Sequence, residues 1–134
     1  MTLLLDTHTA IWLLEDAPKL GRKADRACDA ALAANELVVS SIAFYEVGHL
    51  LRRGRLRQLV SVRDWRAAVL SLGIRELPVS SEAAIRASEL ENLSGDPVDR
   101  LIVATALIED ATLLTADEAL LEWSGRLRRQ DARR

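Results

Sequence analysis

The sequence predicts an α/β protein built on a central, mostly parallel sheet of four or five strands, and three observations lead there. Apolar runs of strand length alternate with stretches whose apolar residues recur at helical spacing. Several of the helical stretches begin just after residues that cap helices. At 134 residues, 49% hydrophobic and 28% charged, the chain has the size and composition of one compact domain, residues 1–134, with a real core and no room for a second.

The elements follow in order. A strand over residues 2–5 runs into Asp6 and then a helix over 9–14. A helix over 22–34 leads to a second strand, 37–40, and Ser41 is placed to cap a helix over 42–53. Ser61 precedes a helix over 62–72, ahead of a third strand, 74–79, and a helix over 82–93. In "GDPVD", Asp96 is the N-cap of a helix over 97–108, with Pro97 at the first helical position, where its missing N–H costs nothing. A strand over 112–115 precedes a short helix, 116–123, for which Thr115 and Glu118 have capping-box spacing. A weakly written fifth strand near 127–130 falls inside the basic tail "RLRRQDARR", residues 126–134.

Composition narrows the function classes. No apolar run approaches the roughly 18 to 20 residues that span a bilayer, and no basic leader precedes a cleavage site, which predicts a cytoplasmic protein without membrane contact. The single cysteine, Cys28, reads as an ordinary thiol on a helix face. A formal net charge of −2, from 18 Lys and Arg against 20 Asp and Glu, lacks the basic excess usual in nucleic-acid-binding domains. Basic residues nevertheless gather at "LRRGRLR" (Arg52, Arg53, Arg55 and Arg57) and in the tail, where five arginines face one aspartate. The stretch "WRAAVLSLGIRELPV" and the helix carrying Phe44, Val47 and Leu51 hold more apolar side chains than one small core absorbs. This predicts a homodimer face or a groove for a protein partner, with Trp65 and Trp123 as interface candidates and Trp12 packed under the first helix.

Four carboxylates stand in awkward places. In open parallel sheets ligands bind beyond the carboxyl ends of the strands. Asp6 closes the first strand; Glu46 lies in an i, i+4 row between Ile42 and Leu50; Asp99 occupies the first turn of a helix apolar around its circumference; Asp117 follows the strand "TLLT". Each has an ordinary structural role open to it: Asp6 as a cap, Glu46 as a partner of His49, Asp99 and Asp117 as first-turn acids favoured by the helix dipole. Together, four acids at one sheet edge would repel one another and lose solvation unless a cation sat between them. Oxygen ligands without a Cys or His cluster select a hard ion, Mg²⁺ or Mn²⁺. Such an ion activates a water and neutralises charge on a phosphoryl group, so the predicted reaction is phosphodiester hydrolysis by Asp6, Glu46, Asp99 and Asp117. Thr7, His8 and Thr115 are placed to hydrogen-bond the ion's water or the substrate, although a lone His at a helix start is more often structural.

The segments "LLLDTHTAIWLL", "SSIAFYEVGHLL", "GDPVDRLIVATAL" and "LLTADEALL", in this order, resemble the PIN-domain ribonucleases, in particular the VapC toxins of type II toxin–antitoxin modules. The resemblance spans nearly the whole chain. It implies a three-layer α/β/α fold, an acidic pocket of the same four residues binding Mg²⁺ or Mn²⁺, endoribonuclease activity on RNA, and a small VapB-type antitoxin that covers the pocket. It also implies that Asp96, the first acid of the "DPxDR" pattern, caps a helix or supports the site, and that Arg100 is a structural partner for one of the acids. Ser94 stands where this branch often carries a His. With RNA as substrate, Arg52, Arg53, Arg55, Arg57 and the tail gain a purpose as phosphate contacts. Two alternatives compete: a metal-dependent phosphatase-like domain, which would want an Asp where His8 stands, and a PIN-like module kept for binding alone.

Overall fold

A computed structural model describes residues 1–56, 61–93 and 95–134. Its elements are β1 (Leu3–Leu5), α1 (Thr7–Glu15), α2 (Arg22–Ala33), β2 (Leu37–Ser40), α3 (Ile42–Arg52), α4 (Val62–Ser71), β3 (Arg75–Leu77), α5 (Ser81–Glu89), α6 (Pro97–Ile108), β4 (Thr112–Thr115), α7 (Glu118–Glu122) and β5 (Arg129–Asp131). The five strands form one parallel sheet in the order β3-β2-β1-β4-β5.

The central strands are buried on both faces, as their unbroken apolar sequence requires. Side chains alternate along them. Leu3, Leu5, Val39 and Leu114 face a core closed by Ala10 and Ile11 of α1, Cys28 of α2, Val47 of α3 and Val69 of α4. Leu4, Val38 and Leu113 face the other, closed by Ile102 and Val103 of α6 and Leu120 of α7. Two cores, one on each side of the sheet, give three layers and absorb Trp65, Val69 and Ile74 of the apolar stretch that seemed surplus to a single core, while Leu70, Leu72 and Val79 stay exposed. Trp65 is 2% exposed and packs edge-on to Phe44 at 5.8 Å. Trp123 is also buried, with Nε1 donating to the Glu91 carbonyl at 2.9 Å. Neither tryptophan offers an interface.

Three local departures have physical causes. The helix expected to reach Leu93 stops at Glu89, because the carbonyls of Ala87, Leu90 and Leu93 all accept from the Arg100 guanidinium and are drawn out of a helical ladder. Ser41 precedes α3 but makes no cap; its Oγ accepts from Val79 N at 3.2 Å, while Ser40 Oγ accepts from Ile42 N at 3.2 Å. The last strand is shifted to Arg129–Asp131, because pairing with β4 sets Asp131 opposite Thr115.

Beyond β5 the chain lies against the start of α2. Gly21 N donates to Ala132 O at 2.8 Å and Ala24 N to Arg134 O at 2.9 Å. A Cβ on Gly21 would come within 2.1 Å of the Arg134 backbone, so only glycine fits there. Cys28 is fully buried in α2, and burial pushes its thiol up to about 12, which leaves it unreactive.

Candidate functional site

β1 and β4 lie side by side, but the chain leaves β1 toward β2 on one side and β4 toward β5 on the other. At such a switch point the loops diverge and leave a crevice beyond the strand ends. A cleft of about 340 Å³ opens there, and Asp6, Glu46, Asp99 and Asp117 all line it. Thr7, His8 and Trp12 of α1, Ala116 and Arg133 complete its walls.

Asp6 is 7% exposed and has both carboxylate oxygens engaged. Oδ1 accepts from Thr9 N at 2.9 Å, capping α1, and Oδ2 accepts from the Thr115 hydroxyl. Thr115 Oγ1 in turn accepts from Asp117 N at 3.1 Å, so one buried threonine ties the end of β1 to the residue after β4. The capping pair expected between Thr115 and Glu118 is therefore not made. Asp117 caps α7 instead, accepting from Ala119 N at 2.8 Å, and Glu118 turns to Arg133 at 2.7 Å.

Glu46 and Asp99 are half-buried, and among the described residues neither carboxylate receives a hydrogen bond or an ion pair. Burial first, then the charges of Asp117, Asp96, Glu46 and Asp6, push Asp99 up to about 7. That is the electrostatic signature of acids gathered without enough cation. Its sign sets a pH dependence. An unfolded Asp titrates near 3.8 and the folded one near 7, so between those values the folded state holds the extra proton and stability falls as pH rises. Asp99→Asn should stabilise the metal-free protein at pH 8 by about 1 to 2 kcal/mol after solvent screening, and by almost nothing near pH 4. Thermal melts of both proteins across that range check this.

Asp96 is exposed and caps α6, accepting from Val98 N at 2.9 Å. The expected partnership of Arg100 with an acid is not made: Nε donates to Ala87 O at 3.0 Å, Nη2 to Leu90 O at 2.8 Å and Nη1 to Leu93 O. Those three carbonyls engage every nitrogen of its guanidinium. Thr7 Oγ1 is buried without a partner among the described residues, and His8 is exposed at the mouth. Arg52 and Arg53 stand exposed at the end of α3 and do not line the cleft. Arg55 lines an adjoining cleft that shares His8 and Trp12 with the acidic one. Arg57 and Ser94 lie outside the described residues. Arg133 is the residue that sequence reasoning did not single out; nothing in the spacing of the five tail arginines tells which faces the acids.

In kind, the donors fit a hard cation: carboxylates, an orphaned hydroxyl, and no thiol or imidazole cluster. In geometry the site is open. Among the described residues no three Asp, Glu, His or Cys side chains stand close enough to enclose an ion. Asp6 and Asp117 are each turned to a helix cap.

A family model for the PIN domain matches residues 3–124, a span that holds all four acids. The chain belongs to the PIN-domain family. This PIN domain is 32% identical over 120 residues, 89% of each chain, to Ribonuclease VapC22 of Mycobacterium tuberculosis (strain ATCC 25618 / H37Rv). Its fold is similar to that of DNA-bound VapBC from Salmonella typhimurium, with TM-score 0.71, 17% identity and 98% of each chain covered. It is also similar to a toxin–antitoxin complex from Klebsiella pneumoniae, with TM-score 0.63, 20% identity and 98% of each chain covered. The PIN match stops before β5 and Arg133.

Proposed function

We propose that this PIN domain is a metal-dependent endoribonuclease, the toxin of a type II toxin–antitoxin module, in which Asp6, Glu46, Asp99 and Asp117 hold Mg²⁺ or Mn²⁺ at the sheet's switch point. One observation carries the reading: four acids from four separate segments line a single cleft, and the charges of the other three help raise Asp99. The relative named as a ribonuclease and the neighbours solved as VapBC and toxin–antitoxin assemblies support the substrate and a VapB-type antitoxin partner. Among the described residues no helix is long and apolar enough to cross a membrane.

When bound, the ion supplies a nucleophilic water and offsets charge on the attacked phosphate. The protein's own residues do the rest. Thr115 and the α1 N-terminus fix Asp6 so that its charge faces the cleft without rotamer search. Asp99, which burial and the neighbouring acids keep protonated in part near neutral pH, would release that proton to hold a cation. Thr7 Oγ1 is buried beside the cleft with no hydrogen-bond partner among the described residues.

Incubating labelled single-stranded RNA with the protein should yield cleavage in Mg²⁺ or Mn²⁺, none in EDTA, and recovery when metal is restored. Mg²⁺ at about 100 times its Kd should also stabilise the protein by about 2.7 kcal/mol. Cleavage indifferent to EDTA would end the metal-dependent reading. A metal-induced stabilisation without any cleavage would favour a PIN domain kept for binding.

A further inference from the structure

We propose that Arg133 is the phosphate-binding arginine of the cleft, its guanidinium taking the non-bridging oxygens of the RNA phosphate that the four acids address. The inference rests on the ribonuclease reading above and concerns a residue beyond the family match.

The placement comes from β5. Parallel pairing sets Asp131 opposite Thr115, and Ala132 N donates to Thr115 O at 2.9 Å. Residue 133 is thereby delivered to the end of β4, beside the turn that carries Asp117. Among the described residues it is the one arginine that lines the acidic cleft. The neighbouring arginines are engaged elsewhere: Arg128 with Asp110, Arg129 with the carbonyls of Leu120 and Gly125.

The guanidinium is held, and the groups that hold it are not the cleft acids. Nε donates to Asp131 Oδ1 at 2.9 Å and Nη2 to Asp131 Oδ2 at 2.8 Å, a two-pronged grip, while Nη2 also reaches Glu118 Oε1 at 2.7 Å. Nη1 makes no hydrogen bond among the described residues. With one edge gripped by Asp131 and Nη2 also paired with Glu118, Nη1 is the nitrogen left to donate, and its two N–H groups are charged donors suited to a phosphate oxygen. An arginine present only to neutralise the cleft would pair with Asp99 or Glu46, which are left bare. An acidic cleft repels a phosphodiester, so a fixed positive donor at its wall answers a need that the acids create.

The test compares Arg133→Gln, Arg133→Lys and Arg134→Gln with wild type. RNA binding is followed by fluorescence anisotropy in EDTA, cleavage in Mg²⁺, and melting with and without Mg²⁺. Arg133→Gln should weaken RNA binding about tenfold and flatten the slope of log K against log salt by about 0.7. Cleavage should fall by about 10- to 100-fold. The Mg²⁺-induced melting shift should not change, and Arg133→Lys should recover part of the loss by keeping the charge without the fork. Arg134→Gln removes the same charge one residue on, outside the cleft, and should stay within about twofold of wild type in binding. Equal losses in Arg133→Gln and Arg134→Gln would overturn the proposal in favour of net charge alone. A larger Mg²⁺ shift in Arg133→Gln with unchanged RNA binding would overturn it in favour of counter-charge to the acids. A wild type that cuts RNA no better than Arg133→Gln defeats this inference alone, whereas a wild type inert toward RNA in Mg²⁺ defeats the ribonuclease reading itself.

Discussion

Asp6→Asn should lower the cleavage rate by about 10²- to 10³-fold while leaving the fold intact. On the proposed metal-dependent reading, the loss follows from removing one preorganised charge from the ion site, an effect of that size for a single electrostatic group. The fold survives because the structural work of Asp6 needs an oxygen and not a charge. Oδ1 accepts from Thr9 N to cap α1, and Asn caps as well as Asp. The amide can also accept from the Thr115 hydroxyl in place of Oδ2 if it turns its oxygen there, so one of the two bonds is kept in either orientation. Melting temperature should therefore stay within a few degrees of wild type without metal, and the gain on adding Mg²⁺ should shrink. Asp6→Ala is the contrast: it loses the cap too, at about 1 kcal/mol. A variant Asp6→Asn that cuts RNA at the wild-type rate would remove Asp6 from the chemistry.

The second large effect is structural. Arg100→Met should destabilise the protein by about 2 to 4 kcal/mol, seen as a fall in melting temperature on the order of 10 °C. The Arg100 guanidinium gathers the carbonyls of Ala87, Leu90 and Leu93, closing the end of α5 and the loop that leads toward α6. Methionine keeps the apolar stem but leaves three part-buried acceptors without donors, and the cost is that of orphaned acceptors rather than of lost attraction. Arg100→Lys should rescue little, because one ammonium cannot span three carbonyls fixed in different directions. Chemical denaturation of the three proteins measures the difference. A loss under about 0.5 kcal/mol in Arg100→Met would show that the loop holds its shape without the arginine.

Much of this protein can be read without coordinates, for reasons that differ by element. The leucine run of β1 and Leu37 to Val39 of β2 are apolar on consecutive residues, the pattern of a strand covered on both faces, and their strand length with helical periods between them made the layered architecture legible. The four acids were legible because strand ends and first turns of buried helices are places where a carboxylate is costly unless used. What escaped prediction depended on contacts between distant segments. Thr115 has the spacing of a capping residue, but its hydroxyl bonds an acid 109 positions earlier, which no local rule anticipates. Arg100 sits beside Asp99 in sequence yet turns toward the preceding loop, because the helix sends neighbouring side chains about 100° apart. Trp65 and Trp123 were assigned to interfaces by counting apolar residues against one core, when a sheet covered on both faces makes two. Arg133 owes its place to the register of a three-residue edge strand rich in charge, the weakest periodic signal in the chain.

The close fit between Gly21 and the Arg134 backbone has a reach beyond packing. Residue 133 is suspended between two fasteners, the Thr115 carbonyl on its near side and the Ala24 amide on its far side, and the second of these belongs to a helix with no side chain in the acidic cleft. A single methyl group at position 21 would push that far fastener away. A substitution in a segment without chemistry of its own would thus be felt in the backbone on either side of Arg133.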